Sequence, residues 1–440
     1  MNKQKLKQQK AIKVKARKNT NNVNKEKAER ARKVHLYPTT EEREKLNQWL
    51  GIYRWTYNQC VAHHREAKKK PSHQQLRDLF VKDKALEKLN KEWALSLPWD
   101  SRDEAAQDFV SALKISTKVY NKKVEKEKEW LQAQGLKGNK LKETLAQNVK
   151  PPEMKFKCKK KKRTESFFIR YRDWNQKRNC AWLKQIKTRE SVSIDYDTRV
   201  IKDAIGRYYV VVLKPLQIKK QPIERFKTVV VLDPGVRTFL TGFDVEGRAL
   251  EFGKGGMDVI FKHLYHTDKI NSSANTKTND RAFKYNHKKR QNRKKAMRRL
   301  LCKVRDKVKD AHHKISKYLC ENYNAVLLPK FNTKDMIKKA DRKINSKVAR
   351  QMCTWSHFRF REIIDAKSKR YGCLIVPCTE HYTSKTCSHC GYVDHKLKGE
   401  KQYKCKRCDR VFDRDINAAK NILLKYWNES VKALLSGLRQ

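Results

Sequence analysis

The spacing of apolar residues divides the chain into three regions. Residues 41–148 carry apolar positions at helical spacing, with lysine-rich faces, which predicts a helical domain. Over residues 149–225 the period falls to two, in short runs of Val, Ile, Tyr and Phe separated by turn residues, which predicts a small β-domain. From residue 226 to residue 440, short apolar runs alternate with helical stretches. The fold class expected from this pattern is a multidomain α/β protein.

The beginning of the chain differs from these regions in composition. Residues 1–33 contain 13 Lys and Arg against 2 Glu, with no apolar period, which predicts a disordered basic arm. Such an arm would serve as a nuclear address or a nucleic-acid tether, and the alternative is a solvated tail. Residues 34–40 are expected to form a short strand, after which Thr40 is expected to cap a helix with Glu41 and Glu42 in its first turn.

The order of elements in the third region is specific. The stretches "FKTVVVLDPG", "VRTFLTGFDVEG" and "RALEFGKG" predict three successive strands. A long cationic helix, the strand "AVLLPKF", the helix "SHFRFREIIDAKSKRYG", the strand "CLIVPCTE", a cysteine-rich segment and a last helix from about Asn417 follow. Three strands, helix, strand, helix, strand, helix is the element order of the RNase H-like fold.

The charge balance points to a polyanionic partner. The chain has 106 Lys and Arg against 47 Asp and Glu, a net charge of +59, and a pI near 10.0. This excess goes far beyond what solubility needs, so nucleic acid is the expected partner. No apolar run of about 18 residues and no apolar signal core are present, so we expect an intracellular, soluble protein with no membrane partner.

Four of the twelve cysteines form two CxxC pairs, and the other eight are scattered. Cys387, Cys390, Cys405 and Cys408 give C-x2-C-x14-C-x2-C, a spacing that directs four thiolates at one tetrahedral ion. We therefore expect one structural Zn2+, because four sulfur ligands leave no open position for catalysis. A redox-active CxxC is the weaker alternative.

Two aspartates are candidates for hard-metal chemistry. Asp233 ends the strand "TVVVLD", although a lone Asp-Pro-Gly is more often only a turn, and Asp415 stands where the last helix begins, where it could be only an N-cap. With an RNase H-like element order, carboxylates from such distant segments can hold two Mg2+ ions roughly 4 Å apart for phosphodiester hydrolysis.

Several stretches closely resemble the transposon-encoded RNA-guided nuclease TnpB and, more specifically, its eukaryotic and viral relatives, Fanzor. They are "LDPGVRTFLTGFD", "HKISKYL", "SHFRFREIIDAKSKRYG", "YTSKTCSHCG" and "FDRDINAAKNI", and the resemblance covers about residues 226–424. It implies a RuvC-like nuclease domain at 226–440 with a zinc ribbon at 381–412, a recognition domain at 41–148, and a wedge domain formed by 34–40 and 149–225. It also implies a guide RNA, a double-stranded DNA target cut beside a short adjacent motif, and a catalytic role for Asp415 and not Asp413.

One position departs from the pattern. TnpB proteins usually carry their catalytic glutamate at the end of the fourth strand, and here "LLPKFNTKDM" has Pro329 and Lys330 there. Fanzor relatives commonly show a relocated glutamate just before the Tyr-Thr-Ser-Lys-Thr-Cys run, which implies Glu380 here. A glutamate on the fifth strand would emerge at the same sheet edge, about 4.8 Å further out, although Glu380 could also be an ordinary surface acid.

Three functions remain open at this stage. The leading expectation is an Mg2+-dependent RNA-guided DNA endonuclease with Asp233, Glu380 and Asp415 as catalytic metal ligands, acting as a monomeric ribonucleoprotein in the nucleus or in a virus-infected host cell. An inactive RNA-guided DNA-binding regulator would need no acid at position 380. A recombinase or transposase would use a similar acidic cluster without a guide RNA.

Overall fold

The computed structural model describes residues 28–67, 70–158, 164–175, 180–219, 229–275, 283–338, 344–397 and 400–437. The chain divides into two compact units, Met1–Leu216 and Gln217–Gln440. Within the described ranges, no helix combines the length and the apolar character needed to cross a membrane.

The first unit contains a four-stranded antiparallel sheet. Its strands run in the order β1-β4-β3-β2. They are β1 (Ala28–Leu36), β2 (Glu165–Ile169), β3 (Thr198–Lys202) and β4 (Tyr208–Pro215). Strand β1 pairs with β4 and ends at Leu36, so it includes only residues 34–36 of the strand predicted at 34–40.

The described part of the first unit also contains helices, most of which share a core with this sheet. They are α1 (Thr40–Ala67), α2 (His73–Phe80), α3 (Asp83–Lys88), α4 (Trp99–Ala133), α5 (Gly138–Asn148), α6 (Tyr171–Asn175) and α7 (Ala181–Gln185), with a 3-10 helix at Glu92–Ser96. Trp49 of α1 packs edge-on against Phe167 of β2, with ring centroids 5.5 Å apart. Helical and β regions are thus parts of one hydrophobic core.

Two expectations for the start of the chain need correction. Strand β1 begins at Ala28, so the last six residues of the predicted basic arm are strand, and residues 1–27 lie outside the described residues. The cap of α1 is Thr39 and not Thr40. Thr39 Oγ1 accepts the Glu42 amide at 3.3 Å, while the Glu42 carboxylate accepts the Thr39 amide at 2.7 Å, which is a capping box.

The second unit is built on a five-stranded mixed sheet. Its strands are β5 (Val229–Pro234), β6 (Leu240–Asp244), β7 (Ala249–Phe252), β8 (Ala325–Pro329) and β9 (Leu374–Cys378). The spatial order is β7-β6-β5-β8-β9, with β6 antiparallel to its two neighbours and β5, β8 and β9 parallel. The five strands follow one another along the chain as the sequence predicted, and in the sheet the first is central and the fifth lies at one edge.

Helices cover both faces of this sheet. They are α8 (Gly256–Asn275), α9 (Phe283–Asn322), α10 (Thr333–Met336), α11 (Ser346–Trp355), α12 (His357–Tyr371) and α13 (Arg414–Gly437). Val230 and Leu232 of β5 point into the core formed with α8, α9, α11 and α12, while Val231 meets Ile422 of α13. Because both faces are buried, β5 reads as a continuous apolar run. Helix α8 was not foreseen in the sequence analysis.

Between β9 and α13 the chain forms a small cysteine-rich subdomain. It contains a 3-10 helix at Thr383–Lys385 and a two-stranded antiparallel sheet made of β10 (Gln402–Lys404) and β11 (Val411–Asp413). Strand β11 runs directly into α13, so the chain enters this subdomain from the edge strand β9 and leaves it into a helix that covers the sheet.

Candidate functional site

Asp233 lies at the end of the central strand. It pairs with Thr241 of β6, and the alternation of side chains along β5 places it on the same face as Val231, the face covered by α13. Burial raises the pKa of the Asp233 carboxyl well above its usual range. The charges of Asp415 and Glu380 raise this pKa further, and Arg414 opposes them. Asp233 therefore lies within electrostatic reach of both other predicted site residues.

Asp415 lies in the first turn of α13. Its amide donates to Asp413 Oδ1 at 3.0 Å, and the Ile416 amide donates to the same oxygen at 3.2 Å. Asp413 is thus the residue that caps the helix, so the N-cap interpretation of Asp415 does not hold. Burial raises the pKa of Asp415, the Asp413 charge adds to this, and Arg237 and Arg414 lower it.

Glu380 follows the edge strand β9. The registers align Val231 with Leu327 and Pro329 with Cys378, so Asp233 and Cys378 stand at the same level of the sheet, two strands apart, and Glu380 lies two residues further along. Burial raises the pKa of the Glu380 carboxyl. At the end of β8, where the resembled family usually has its glutamate, Pro329 is buried and Lys330 is exposed.

Asp415 and Glu380 form a group of carboxylates around Asp233, because their charges add to the effect of burial and raise the pKa of the Asp233 carboxyl. Such a group is stabilised by a bound cation, and oxygen ligands favour Mg2+. Among the described residues, the four cysteine sulfurs are the one set of three or more metal-ligating atoms that all lie within 4.8 Å of one another. The oxygens of the three carboxylates lie further apart than that.

Side chains at the junction of α11 and α12 bind the backbone carbonyls of the loop that follows Asp233. Trp355 Nε1 donates to the Val236 carbonyl at 3.1 Å, and His357 Nε2 lies 3.1 Å from the Gly235 carbonyl. Gly235 leaves no room for a side chain, because an added Cβ would lie 2.5 Å from the Thr238 carbonyl oxygen. The sequence analysis assigned the Trp-Ser-His stretch no role, and its motif carries no signal for one.

Under the same loop, two imidazoles enclose one aromatic ring. The ring of Phe239 stacks on His312 at 5.0 Å and on His357 at 4.8 Å, measured between centroids. Burial lowers the pKa of each histidine to about 4, so both rings are neutral at neutral pH. These neutral rings form part of the apolar support for the end of β5.

The four predicted metal-ligating cysteines do come together. Cys387 Sγ lies 3.8 Å from Cys408 Sγ, and Cys390 Sγ lies 3.5 Å from Cys405 Sγ. A tetrahedral Zn2+ at about 2.3 Å from each sulfur separates the sulfurs by about 3.8 Å, so the cluster fits zinc. We call these four residues the cysteine cluster.

Two equivalent turns build the cluster. In the first, the Gly391 amide donates to the Cys387 carbonyl at 2.9 Å, and in the second the Asp409 amide donates to the Cys405 carbonyl at 3.1 Å. Gly391 and Asp409 both have positive φ, +74° and +52°. In each turn the residue after the second cysteine has the left-handed conformation. Because both turns have this geometry, the four thiols point toward one position.

Comparison with known proteins connects these features to a family. A model described as "Cas12f1-like, TNB domain" matches residues 357–422, one described as "Probable transposase" matches 209–340, and one described as "Helix-turn-helix domain" matches 28–71. The last range is occupied here by β1 and the single long helix α1. The first range includes the whole cysteine cluster.

Two viral proteins align with most of the chain. TnpB-like protein L79 of Acanthamoeba polyphaga mimivirus is 26% identical over 404 residues, which is 90% of this chain and 73% of the relative. "Putative transposase A625R" of Paramecium bursaria Chlorella virus 1 is 28% identical over 418 residues, 90% of this chain and 87% of the relative. The resemblance seen in the sequence is thereby confirmed: this chain is similar to TnpB-like proteins over most of its length.

Two further matches carry functional names. A "Putative RNA-guided DNA endonuclease" of Streptomyces pristinaespiralis is 32% identical over 137 residues, 30% of this chain and 32% of the relative. The cryo-EM structure of a Cas12f1-sgRNA-target DNA complex aligns with a TM-score of 0.42 and 14% identity, over 87% of this chain and 83% of the other.

Proposed function

We propose that this chain is a transposon-encoded, RNA-guided DNA endonuclease that cuts double-stranded DNA beside a short target-adjacent motif. The observation that carries the proposal is the electrostatic convergence of Asp233, Glu380 and Asp415 at one edge of an RNase H-like sheet. The name of the Streptomyces relative and the match to the Cas12f1-like TNB domain support the same activity.

The proposed chemistry follows from the carboxylates. Asp233, Glu380 and Asp415 would hold two Mg2+ ions, which supply Lewis acidity to the scissile phosphate and to the attacking water. The protein's own part is to keep three acids, whose pKa values are raised by burial, close enough to share cations. Burial raises the pKa of Asp415, and the nearby charges of Arg237 and Arg414 oppose that rise.

The domain roles also belong to the proposal. We assign nucleic-acid recognition to residues 41–148, a wedge role to 34–40 and 149–225, the RuvC-like nuclease to 226–440, and structural Zn2+ to the ribbon at 381–412. The partners would be a guide RNA and a double-stranded DNA target, bound by a monomeric ribonucleoprotein. The viral relatives favour action in a virus-infected host cell, and nuclear localisation follows if the host is a eukaryote.

One observation favours a second candidate. The end of β8 has Pro329 and Lys330 where the resembled family usually has its glutamate, so a chain without a replacement acid would bind its target and never cut it. That protein would be an RNA-guided DNA-binding regulator. The two candidates make opposite predictions for Glu380.

The test begins with RNA that copurifies with the protein, which is sequenced to give the guide. Glu380→Ala should then abolish cleavage as fully as Asp233→Ala or Asp415→Ala, because each removes a ligand that the two-metal site needs. Binding of guide and target should persist, since a carboxylate attracts no polyanion. Lys330→Glu should fail to rescue Glu380→Ala, because the acid would be displaced by about a strand spacing.

Glu251 provides the matched control. It lies on β7, its Oε2 is 2.5 Å from Lys254 Nζ, and its charge raises the pKa of Asp415. Glu251→Ala should keep cleavage, since this acid is already paired with a lysine. Near-normal cutting by Glu380→Ala in Mg2+ would exclude the relocated glutamate, and a wild-type protein that binds target without cutting would favour the regulator.

A further inference from the structure

Two buried asparagines of α13 bind the backbone of the segment between β9 and the cysteine cluster. Asn417 is fully buried and Asn421 is 7% exposed. Asn417 Nδ2 donates to the Thr386 carbonyl at 2.7 Å, and Asn417 Oδ1 accepts the Ser388 amide at 2.9 Å. Both peptide groups that flank Cys387 are therefore hydrogen-bonded to one side chain of α13.

The second asparagine extends this connection toward Glu380. Asn421 Nδ2 donates to the Thr383 carbonyl at 2.9 Å and to the Thr386 carbonyl at 2.6 Å. Thr383 in turn donates to the Glu380 carbonyl, from its hydroxyl at 2.8 Å and from its amide at 3.3 Å. Two hydrogen-bonded steps thus join the backbone of Glu380 to α13.

The same helix carries Asp415 in its first turn. Asn417 and Asn421 stand four residues apart and so lie on one face of α13. The turn they hold contains Tyr382 in the left-handed conformation, with φ +64°, which costs a non-glycine residue about 1–3 kcal/mol unless surrounding contacts fix it. The helix therefore presents one carboxylate directly and constrains the strained turn that presents another.

We infer that Asn417 and Asn421 are positioning residues that fix Glu380 relative to Asp415 and so set the divalent-cation affinity of the carboxylate group. This inference rests on the proposed function. Neither side chain needs to touch a metal ion or nucleic acid for this role. Loss of the Asn421 amide would leave two carbonyls without that donor and would release the turn, and residues that orient metal ligands typically change metal affinity roughly 10- to 100-fold.

The experiment compares three variants of the full chain with its copurified RNA. Asn421→Ala removes the amide, and Thr383→Val removes only the hydroxyl bond to Glu380 at almost constant volume. Asn345→Ala is the matched control in the same unit, because Asn345 Oδ1 accepts the Val348 amide at 2.8 Å at the start of α11. Mn2+ affinity is measured by electron paramagnetic resonance, with zinc content and the Mg2+ dependence of cleavage measured in parallel.

Asn421→Ala and Thr383→Val should bind Mn2+ roughly 10-fold or more weakly and need correspondingly more Mg2+, with one zinc per chain retained. Asn345→Ala should match wild type. Unchanged Mn2+ affinity in Thr383→Val and in folded Asn421→Ala, or an equal loss in Asn345→Ala, would overturn the inference and leave the proposed function standing. A wild-type protein that neither binds Mn2+ nor cuts would instead refute the proposed function, and this inference with it.

Discussion

The two histidines beside Phe239 should make the second unit sensitive to acid. His357 is 6% exposed and His312 is 1% exposed. Burial lowers the pKa of each from 6.5 to about 4, opposed at His357 by its hydrogen bond to the Gly235 carbonyl. In the unfolded chain both imidazoles are in water and take up protons near pH 6.5.

The sign of the effect follows from these pKa values. Because the folded pKa lies below the unfolded one, unfolding takes up protons in the window between them, so the free energy of unfolding is highest above pH 6.5 and falls toward pH 4. A shift of about 2.5 units corresponds to about 3 kcal/mol at full extent. Between pH 7.5 and pH 5.0, each histidine accounts for a loss of about 2 kcal/mol.

His357→Gln isolates one of these two contributions. Glutamine is neutral at every pH and can still donate to the Gly235 carbonyl, so the variant loses some packing at pH 7.5 but is spared the acid penalty. The free energy of unfolding of wild type should therefore fall by about 2 kcal/mol more than that of the variant between pH 7.5 and pH 5.0. His266→Gln, at an exposed position of α8, is the matched control for loss of a histidine.

The assay must report the second unit alone. Protein is equilibrated in urea at pH 7.5 or pH 5.0 and given a brief deuterium pulse at one fixed pH, and peptides covering β5 and β6 are read by mass spectrometry. A loss of stability in acid that is the same in wild type and His357→Gln would refute the argument. It would mean that His357 does not stay neutral in the folded protein.

Asp413→Ala should lower the free energy of unfolding by about 1 kcal/mol through loss of the helix cap and leave cleavage intact, whereas Asp415→Asn should abolish cleavage without destabilising the fold, as urea unfolding and cleavage assays will show. Gly235→Ala should reduce cleavage roughly 10-fold or more, because the backbone after the catalytic strand must move to admit the Cβ, while Gly256→Ala, with only an ordinary contact, should cut normally. Elemental analysis should find one zinc per chain in wild type and none in Cys405→Ser, and a zinc-free wild type would contradict the assignment of the cysteine cluster.

Much of the fold could be predicted from the sequence, because the patterns that indicate strands, helices and metal-ligating cysteines extend over only a few residues. The apolar runs predicted the strands of the five-stranded sheet and a β-domain before it, and the two CxxC pairs at ribbon spacing predicted the cysteine cluster. The helix start at Thr40 was correct within one residue, but the capping residue was wrong. Thr39 and Thr40 are chemically alike, and only the reciprocal bonds with Glu42 select the first.

The candidate site was only partly accessible from the sequence. Asp233, Glu380 and Asp415 were chosen from strand-end position and family resemblance, and the folded chain places Asp415 and Glu380 where both raise the pKa of Asp233. Only the structure decided that Asp413 and not Asp415 caps α13, because the Asp413 carboxylate accepts the first amides of the helix. The stretches "TWSH" and "INAAKNI" contain no sequence pattern that predicts the backbone hydrogen bonds of Trp355, His357 and Asn421 near the candidate site.

By itself, the sequence determined the class of the fold, the soft-metal cluster and the excess of positive charge, because periodicity, cysteine spacing and composition act over a few residues or over the whole chain. Only the tertiary structure decided which polar groups meet. Asn421 is 38 residues from Thr383, and His357 is 122 residues from Gly235. Hydrogen bonds over such separations form only after strands and helices have packed, since their partners are fixed by the register of β5, β8 and β9 and by the seating of α13.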